Sequence, residues 1–162
     1  MTTALKIDFV SDVSCPWCVI GLKALESALQ RVEQEIEAEI HFQPFELNPS
    51  MAPEGQDLYE HLAQKYGSTR DQSNTNREMI RARGEAVGFE FRMDRLQRIY
   101  NTFDTHRLLH FAGIEGCQHE LKQALFDAYF TAGDHPGAHD ALLPCATGVG
   151  RGGGKNGGAA SG

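Results

Sequence analysis

The alternation of apolar and polar positions predicts a strand, a helix and a second strand at the start of the chain. The run "LKIDFVS", residues 5–11, stops at Asp12 and is typical of a buried strand. Apolar residues then recur with 4-3-4-3-4 spacing and form one stripe along a helix, comprising Cys18, Leu22, Leu25, Leu29, Val32 and Ile36. From Ile36 the period changes to two, which predicts a strand to about Leu47. This order favours a right-handed βαβ unit with parallel strands.

The start of the predicted helix carries two cysteines. Ser14 is a candidate N-cap, and Pro16 suits a first turn because its missing N–H has no partner to lose. We therefore expect the helix to begin at Cys15, with Cys18 on the buried stripe and Cys15 at the open end.

Beyond a loop at residues 48–55, four segments have helical patterns, and each ends in glycine: "DLYEHLAQKYG", "SNTNREMIRARGEAVG", "NTFDTHRLLHFAGIEG" and "CQHELKQALFDAYFTAG". Between the second and third, "FEFRMD" (89–94) is predicted as a short extended piece. The last stretch, "GVGRGGGKNGGAASG", holds 8 of the 17 glycines and is predicted to be flexible. The predicted divisions are a βαβ half at 1–47, a helical insertion at 48–133, a partial return segment at 134–147 and a Gly-rich tail at 148–162.

Charge and composition narrow the classes of protein. The 162 residues suit one domain, and 41% of them are hydrophobic, which is enough for a globular core. A formal net charge of −7 without clustered Lys or Arg argues against nucleic-acid binding. The first apolar run is too short to span a membrane, so we expect a cytoplasmic protein without a membrane partner.

The four cysteines do not form the dense framework of a secreted disulfide protein. In a reducing compartment, a close pair such as Cys15 and Cys18 is more often catalytic or metal-binding than structural. Zinc would need four ligands, and neither Cys117, Cys145 nor the seven histidines provide a second paired spacing. A zinc or purely structural module and a pair of inert core cysteines remain alternatives, and dithiol redox chemistry is favoured.

The position of Cys15 at a helix start predicts its reactivity. The thiolate is the nucleophile, and a helix terminus alone could lower a free-thiol pKa of ~8.5 to about 7. We expect Cys15 to attack a substrate disulfide and buried Cys18 to resolve the resulting mixed disulfide.

Five stretches together resemble one family: "FVSDVSCPWCVIG", "FQPFELNPSMAPEG", "QKYG", "NTFDTHRLLHFA" and "ALFDAYFTAG". They are similar to DsbA-like thioredoxin-fold proteins of the FrnE type, over roughly residues 5–143. The resemblance implies an α/β thioredoxin-like fold with a large helical insertion, and thiol-disulfide oxidoreductase or isomerase activity on disulfide-containing proteins or small thiols. It implies no metal or nucleotide cofactor.

By position, Cys15 resembles the family's nucleophile and Cys18 its resolving thiol, with Pro16 and Trp17 tuning them. The family also includes glutathione-dependent 2-hydroxychromene-2-carboxylate isomerases and kappa-class glutathione transferases, which usually have serine where Cys15 stands. A glutathione-using isomerase or transferase, with glutathione as co-substrate, is therefore the alternative activity.

Four further residues are candidate substrate contacts. Phe45 and Asn48 follow the second strand, and ligands gather at the carboxyl ends of parallel strands, although Phe45 is also a candidate core residue. Asn101 and His106 lie in the "NT…HRL" stretch on one predicted helix, where a polar seam between insertion and core is the favoured interpretation. Cys117 and Cys145 are interpreted as incidental.

The family pattern continues with two more strands, a terminal helix and a cis-proline loop facing the two cysteines, and nothing after residue 133 resembles them. Only Pro136 and Pro144 follow the helical block, and neither precedes a strand-like run. The C-terminal strands and helix therefore look missing, as a truncated or frame-shifted chain would lack them. A two-stranded sheet has exposed edges, so we expect a poorly stable or self-associating chain. A sharp, cooperative thermal transition of a monomer would contradict this.

Overall fold

A computed structural model describes residues 1–137. The expectations for Pro144, Cys145, the Gly-rich tail and most of the return segment lie outside these residues.

A parallel pair of strands joined by a helix begins the fold, as the sequence predicts. Strand β1, Thr3–Ser11, pairs with β2, Ile36–Pro44, in a register that sets Thr3 opposite Ile36 and Ser11 opposite Pro44. Helix α1, Pro16–Arg31, connects them. The second strand ends before the predicted Leu47, although the N–H of Phe45 still donates to the carbonyl of Ser11, at 3.2 Å. Beyond it, the N–H of Leu47 donates instead to Oδ2 of Asp12, 2.8 Å away.

The expectation that β1 is buried is wrong. Alternate residues of β1, Ile7 and Phe9, are half-buried under the helices, whereas Val10 on the other face is 60% exposed. Within residues 1–137, β1 pairs only with β2, so its other edge and one face carry no neighbouring strand.

The helical block follows the predicted pattern closely. Its elements are α2, Leu58–Tyr66, α3, Arg70–Ala86, α4, Phe103–Ile114, and α5, Gln118–Phe126, which continues into a π-helical segment, Asp127–Ala132. The four terminal glycines each adopt positive φ, the conformation that stops a helix: Gly67, Gly88, Gly116 and Gly133. Asp57 caps α2, and Thr69 forms a reciprocal capping box with Gln72 at the start of α3.

The predicted extended piece at 89–94 is not a strand. Its aromatic residues Phe89 and Phe91 turn into the core instead, and the N–H of Arg92 donates to the carbonyl of Phe130. A short antiparallel pair that the sequence did not indicate joins β3, Gln56–Asp57, to β4, Arg98–Ile99.

Two core clusters meet along α5. One contains the buried aromatics Phe42, Phe89, Phe91, Phe126, Tyr129 and Phe130 together with Val19, Leu22 and Leu96 of α1 and the 89–97 loop. The other comprises Val13, Leu109, Ala112, Leu121 and Leu125. Because α5 and the π-helical segment supply residues to both clusters, they fix the helical block against the βαβ half.

Gly84 allows the closest approach in the helical block. A Cβ at this position of α3 would lie 2.3 Å from Cδ2 of Phe91 and 2.9 Å from the carbonyl oxygen of Phe89. The absence of a side chain therefore lets the 89–91 loop pack directly on α3.

Candidate active site

Cys15 is the N-cap of α1, with extended backbone angles of φ −97° and ψ 110°. The helix thus begins at Pro16, and the predicted start at Cys15 with Ser14 as N-cap is wrong by one residue. The Ser14 hydroxyl is buried and makes no hydrogen bond among the described residues. The carbonyl of Cys15 accepts from the N–H groups of Cys18 and Val19, at 3.1 and 3.4 Å, which closes the first turn.

The two thiols share a hydrogen bond, and both are half-buried. The expected contrast between an exposed Cys15 and a buried Cys18 is therefore not found. The thiol of Cys15 donates to the sulfur of Cys18 and lowers the pKa of Cys18 to about 6, while the same bond, followed by burial, raises the pKa of Cys15. Because one proton between two sulfurs belongs to the pair, the dithiol loses its first proton below the usual thiol range. Backbone N–H groups of Trp17 and Cys18 favour the thiolate at Cys15.

Access distinguishes the sulfurs more clearly than burial does. Cys15 lines a cleft of about 560 Å³ between the start of α1 and helices α2 and α3, and Cys18 is not part of its wall. Pro16 and Trp17 also line this cleft, and the Trp17 side chain is 46% exposed with the Arg83 guanidinium 5.8 Å above its ring. A substrate in the cleft would therefore meet Cys15 first.

Two buried charged side chains lie near the thiols. Asp12 and Lys122 are each 1% exposed, and Lys122 lies over the rings of Phe42 and Phe126, at 5.6 and 5.1 Å. Burial lowers the pKa of Lys122 to about 8, although Asp12 and the two sulfurs act to raise it. The backbone N–H of Asp12 and then the Lys122 ammonium favour the thiolate of Cys18, and the Asp12 carboxylate opposes it.

Asp12 is held ionised by three hydrogen bonds. Burial alone would raise its pKa, but His106, the N–H of Leu47 and Thr102 outweigh burial, so the pKa lies below its ordinary value. Nε2 of His106 lies 3.1 Å from Oδ1 of Asp12 and 3.1 Å from the carbonyl oxygen of Phe45. Both neighbours are acceptors, which means that Nε2 carries the proton.

The predicted substrate contacts have different positions. Asn48 lines the cleft, and its Oδ1 accepts from Nζ of Lys65 at 2.8 Å. His106 is buried in the polar seam between α4 and the strand ends, the interpretation that the sequence favoured. Phe45 is neither core nor part of the cleft wall, because its side chain is 52% exposed and only its carbonyl contacts His106.

Asn101 does not share a helix with His106, contrary to the prediction, because α4 begins at Phe103. Its side chain accepts from the N–H of Phe103 at 2.9 Å and donates to the carbonyl of Met51 at 3.1 Å. Asn101 therefore joins α4 to the 48–55 loop, away from the cleft that contains Cys15.

Sequence reasoning missed Asp12, Lys122, Lys65 and Arg77. The sequence does give a signal for Asp12, which follows a strand directly and precedes Cys15 by three residues. It gives no signal for Lys122, because a lysine within "ELKQALF" is typical of a solvated helix face. Cys117, interpreted as incidental, packs against the cluster that contains Val13 and Leu109.

No group of three His, Cys, Asp or Glu side chains in residues 1–137 is arranged to hold a metal ion. Nor does any described helix have the length and apolar character to cross a membrane.

A paired thiol at the start of the helix that links two parallel strands defines a thioredoxin-type site. The family model for the DsbA-like thioredoxin domain matches residues 6–155, and the chain belongs to this family. The predicted DsbA-like thioredoxin fold is thereby confirmed, whereas the predicted loss of the C-terminal strands and helix stays a prediction.

Individual relatives agree with this assignment. The chain is 28% identical over 150 residues to the uncharacterized protein YwbO of Bacillus subtilis (strain 168), covering 93% of this chain and 68% of that protein. The crystal structure of a probable DsbA oxidoreductase, SCO1869 from Streptomyces coelicolor, superposes with a TM-score of 0.82 at 29% identity, covering 90% of this chain and 62% of the other. A putative protein disulfide isomerase from Nitrosomonas europaea shares the fold, with a TM-score of 0.59, 14% identity and coverage of 90% and 64%. The chain thus spans less than two thirds of the length of either solved structure.

Proposed function

We propose that this protein is a thiol-disulfide oxidoreductase of the DsbA-FrnE type that exchanges a dithiol and a disulfide through Cys15 and Cys18. The observation that carries the proposal is the hydrogen-bonded pair of thiols at the start of α1, with one sulfur facing an open cleft. The family assignment supports oxidoreductase chemistry in general.

The reaction begins with ionisation of the dithiol. One proton leaves below the usual thiol range, and exchange of the remaining proton between the sulfurs gives a thiolate at Cys15, where the N–H groups of Trp17 and Cys18 stabilise it. This thiolate attacks one sulfur of a substrate disulfide in the cleft. A mixed disulfide forms, and the other substrate sulfur leaves as a thiolate.

Resolution uses Cys18 as the second nucleophile. The Cys18 thiol gives its proton to the departed substrate thiolate, and the Lys122 ammonium favours the Cys18 thiolate that forms. This thiolate attacks the sulfur of Cys15, breaks the mixed disulfide and releases the second substrate sulfur as a thiolate. Cys15 and Cys18 end as a disulfide, and two electrons have passed to the substrate. The reverse sequence oxidises a substrate dithiol. Lys122 and Asp12 act on this cycle as positioning residues.

The expected substrates are disulfide-bearing proteins or small thiols, and the proposal requires neither nucleic acid nor a membrane. We place the activity in the cytoplasm because the sparse cysteines suit a reducing compartment. Self-association through the edge of β1 that has no partner strand within residues 1–137 stays a prediction.

A trapping experiment tests the order of attack. Reduced Cys18→Ser protein, incubated with a small disulfide, should accumulate a mixed disulfide at Cys15 that peptide mass mapping locates. Cys15→Ser protein should form little adduct, and Cys117→Ser protein should behave as wild type. Equal labelling of Cys15→Ser and Cys18→Ser would overturn the assigned roles, and an insulin-reduction assay of wild type would measure turnover.

A glutathione-using isomerase or transferase is the second candidate, favoured by a cleft of small-molecule size beside Cys15. Such an enzyme would bind glutathione without needing a resolving thiol. Cys18→Ser would then retain isomerase activity, whereas the oxidoreductase loses turnover.

A further inference from the structure

The cleft beside Cys15 differs in charge from the rest of the molecule. The whole chain carries a formal net charge of −7, yet the described wall of the cleft contains Lys65 and Arg77 and no Asp or Glu. His61 also lines it, but burial and the nearby Lys65 lower the pKa of this ring and favour its neutral form. A concave site with one sign of charge attracts ligands of the opposite sign. This cleft therefore favours an anion in an otherwise acidic protein.

Arg77 presents an unused donor in this wall. Its Nη2 donates to the carbonyls of Met93 and Leu96, and its guanidinium lies 5.1 Å over the ring of Tyr59. Nη1 is buried and makes no hydrogen bond within residues 1–137. A buried guanidinium nitrogen without a partner is costly, and a carboxylate is the group that best matches its geometry.

Two further polar groups extend this pattern towards the thiol. Lys65 donates to the carbonyl of Leu47 and to Oδ1 of Asn48, which leaves one of its three N–H groups for another acceptor. The Ser14 hydroxyl, in a residue only 6% exposed, also lines the cleft and has no partner among the described residues. The cleft thus has polar groups both beside Cys15 and along its wall.

The remaining wall is mostly apolar. Leu62, Ile80 and Leu96 also line the cleft, and Met79 and Met93 add flexible side chains. Because Nη1 of Arg77 is buried, a ligand reaches it only when neighbouring side chains move. A ligand that fills this space needs an apolar body in addition to its charge.

We propose that the cleft binds a low-molecular-weight thiol or disulfide with an apolar body and a carboxylate, which Arg77 and Lys65 bind while the sulfur faces Cys15. This inference rests on the proposed function and adds the class of small-molecule substrate. With a dithiol ligand, a ligand thiolate attacks the sulfur of Cys15 in the Cys15–Cys18 disulfide, and Cys18 leaves as a thiolate. The second ligand thiolate then attacks the ligand sulfur in the mixed disulfide and releases Cys15. The ligand ends as a cyclic disulfide, and two electrons have passed to the protein.

Dihydrolipoate and dihydrolipoamide are matched probes for this test. Both have the same dithiol and alkyl chain, but dihydrolipoate ends in a carboxylate and dihydrolipoamide in a neutral amide. Trp17, the only tryptophan in the sequence, lies between the two cysteines, so its fluorescence reports their reduction. At low probe concentration in stopped flow, we expect dihydrolipoate to reduce the oxidised protein about tenfold faster than dihydrolipoamide does. A charge-assisted hydrogen bond changes binding affinity by a factor of about that order.

Arg77→Gln should reduce this preference to near unity, and Arg81→Gln is its matched control. Arg81 lies on the same helix and carries the same charge, but it pairs with Glu78 and Glu85 and is not part of the cleft wall. Circular dichroism checks the fold of Arg77→Gln, and Lys65→Gln, which should lower the preference severalfold, provides an independent variant.

Equal wild-type rates for the two probes, with normal reduction by dithiothreitol, would overturn the inference and leave the proposed function standing. Equal loss of preference in Arg77→Gln and Arg81→Gln would also overturn it, since net charge would then account for the preference. No reversible reduction by any dithiol would overturn the proposed function, and the inference with it.

Discussion

Nε2 of His106 lies 3.1 Å from Oδ1 of Asp12, although the two residues are 94 positions apart in the sequence. The pair joins α4 of the helical block to the end of β1, directly before the segment that carries Cys15. It thereby couples the position of the helical block to the geometry of the thiols.

Loss of this pair should destabilise the protein. In His106→Ala, the buried Asp12 loses the hydrogen bond from Nε2 of His106. We therefore expect the free energy of unfolding to fall by about 3 kcal/mol. The folded-state pKa of Asp12 lies below its unfolded value, so this contribution is complete above about pH 4 and is lost in stronger acid. Urea denaturation at neutral pH measures the change.

The matched control is His110→Ala, on the same helix but exposed, which should change stability by less than about 0.5 kcal/mol. Similar losses in the two variants would contradict the importance of the Asp12–His106 pair.

Removal of the buried charge of Lys122 should stabilise the fold. Burial lowers the folded-state pKa to about 8, from an ordinary value of 10.5. The unfolded chain binds more protons between these values, so in the wild type the contribution of Lys122 to stability rises as the pH increases from 8 to 10.5. Lys122→Met removes this penalty and should gain up to about 3 kcal/mol at pH 7, with the gain fading towards pH 10.5.

Urea denaturation of wild type and Lys122→Met at pH 7 and pH 10 tests this sign. Both proteins carry Cys15→Ser and Cys18→Ser, because Cys18, whose pKa is lowered, titrates in the same sense as Lys122 and responds to its charge. The difference between the proteins then cancels Tyr129, whose raised pKa has the opposite effect. A variant that is less stable at pH 7, or a difference that does not shrink with pH, would contradict the account.

The ionisation of the dithiol can be followed separately. In a Cys117→Ser/Cys145→Ser background, ultraviolet thiolate absorbance of the reduced protein should rise with a first midpoint near pH 6, because the hydrogen bond between the thiols stabilises one thiolate. Adding Lys122→Met should raise this midpoint, since the ammonium that favours the thiolate is gone. A first midpoint at or above the free-thiol value of about 8.5 would show that the pair is not activated.

Gly84→Ala tests the packing of the 89–91 loop on α3. The new Cβ would overlap Phe91 and the carbonyl of Phe89, so we expect a loss of about 2 kcal/mol or more in thermal or urea unfolding. Gly21→Ala in α1 is the control, because its Cβ would meet only Phe9, at 3.9 Å. Helix propensity should make that change stabilising by about 0.5 kcal/mol or more, and a similar loss at both positions would contradict the packing argument.

Local pattern explains what the sequence could predict. The helix after β1 and the four terminal glycines depend on neighbouring residues, and the structure confirms them. The predicted stripe is only partly correct, because α1 ends at Arg31 and its last two members, Val32 and Ile36, lie beyond the helix. The Asp12–His106 contact, the burial of Lys122 and the unused donor of Arg77 depend on residues distant in sequence. The exposure of Phe45 likewise follows from how the strand ends meet α4, which periodicity does not describe.

The reduction potential of the Cys15–Cys18 pair tests the central claim most directly. A first thiol pKa of about 6 lies between those of thioredoxin, about 7, and DsbA, about 3.5, and a more stable thiolate stabilises the reduced form. We therefore predict a reversible two-electron couple between about −270 and about −120 mV, measured by equilibration with glutathione or dithiothreitol buffers and followed by Trp17 fluorescence. Absence of a reversible Cys15–Cys18 couple, or a potential below about −270 mV, would contradict the account.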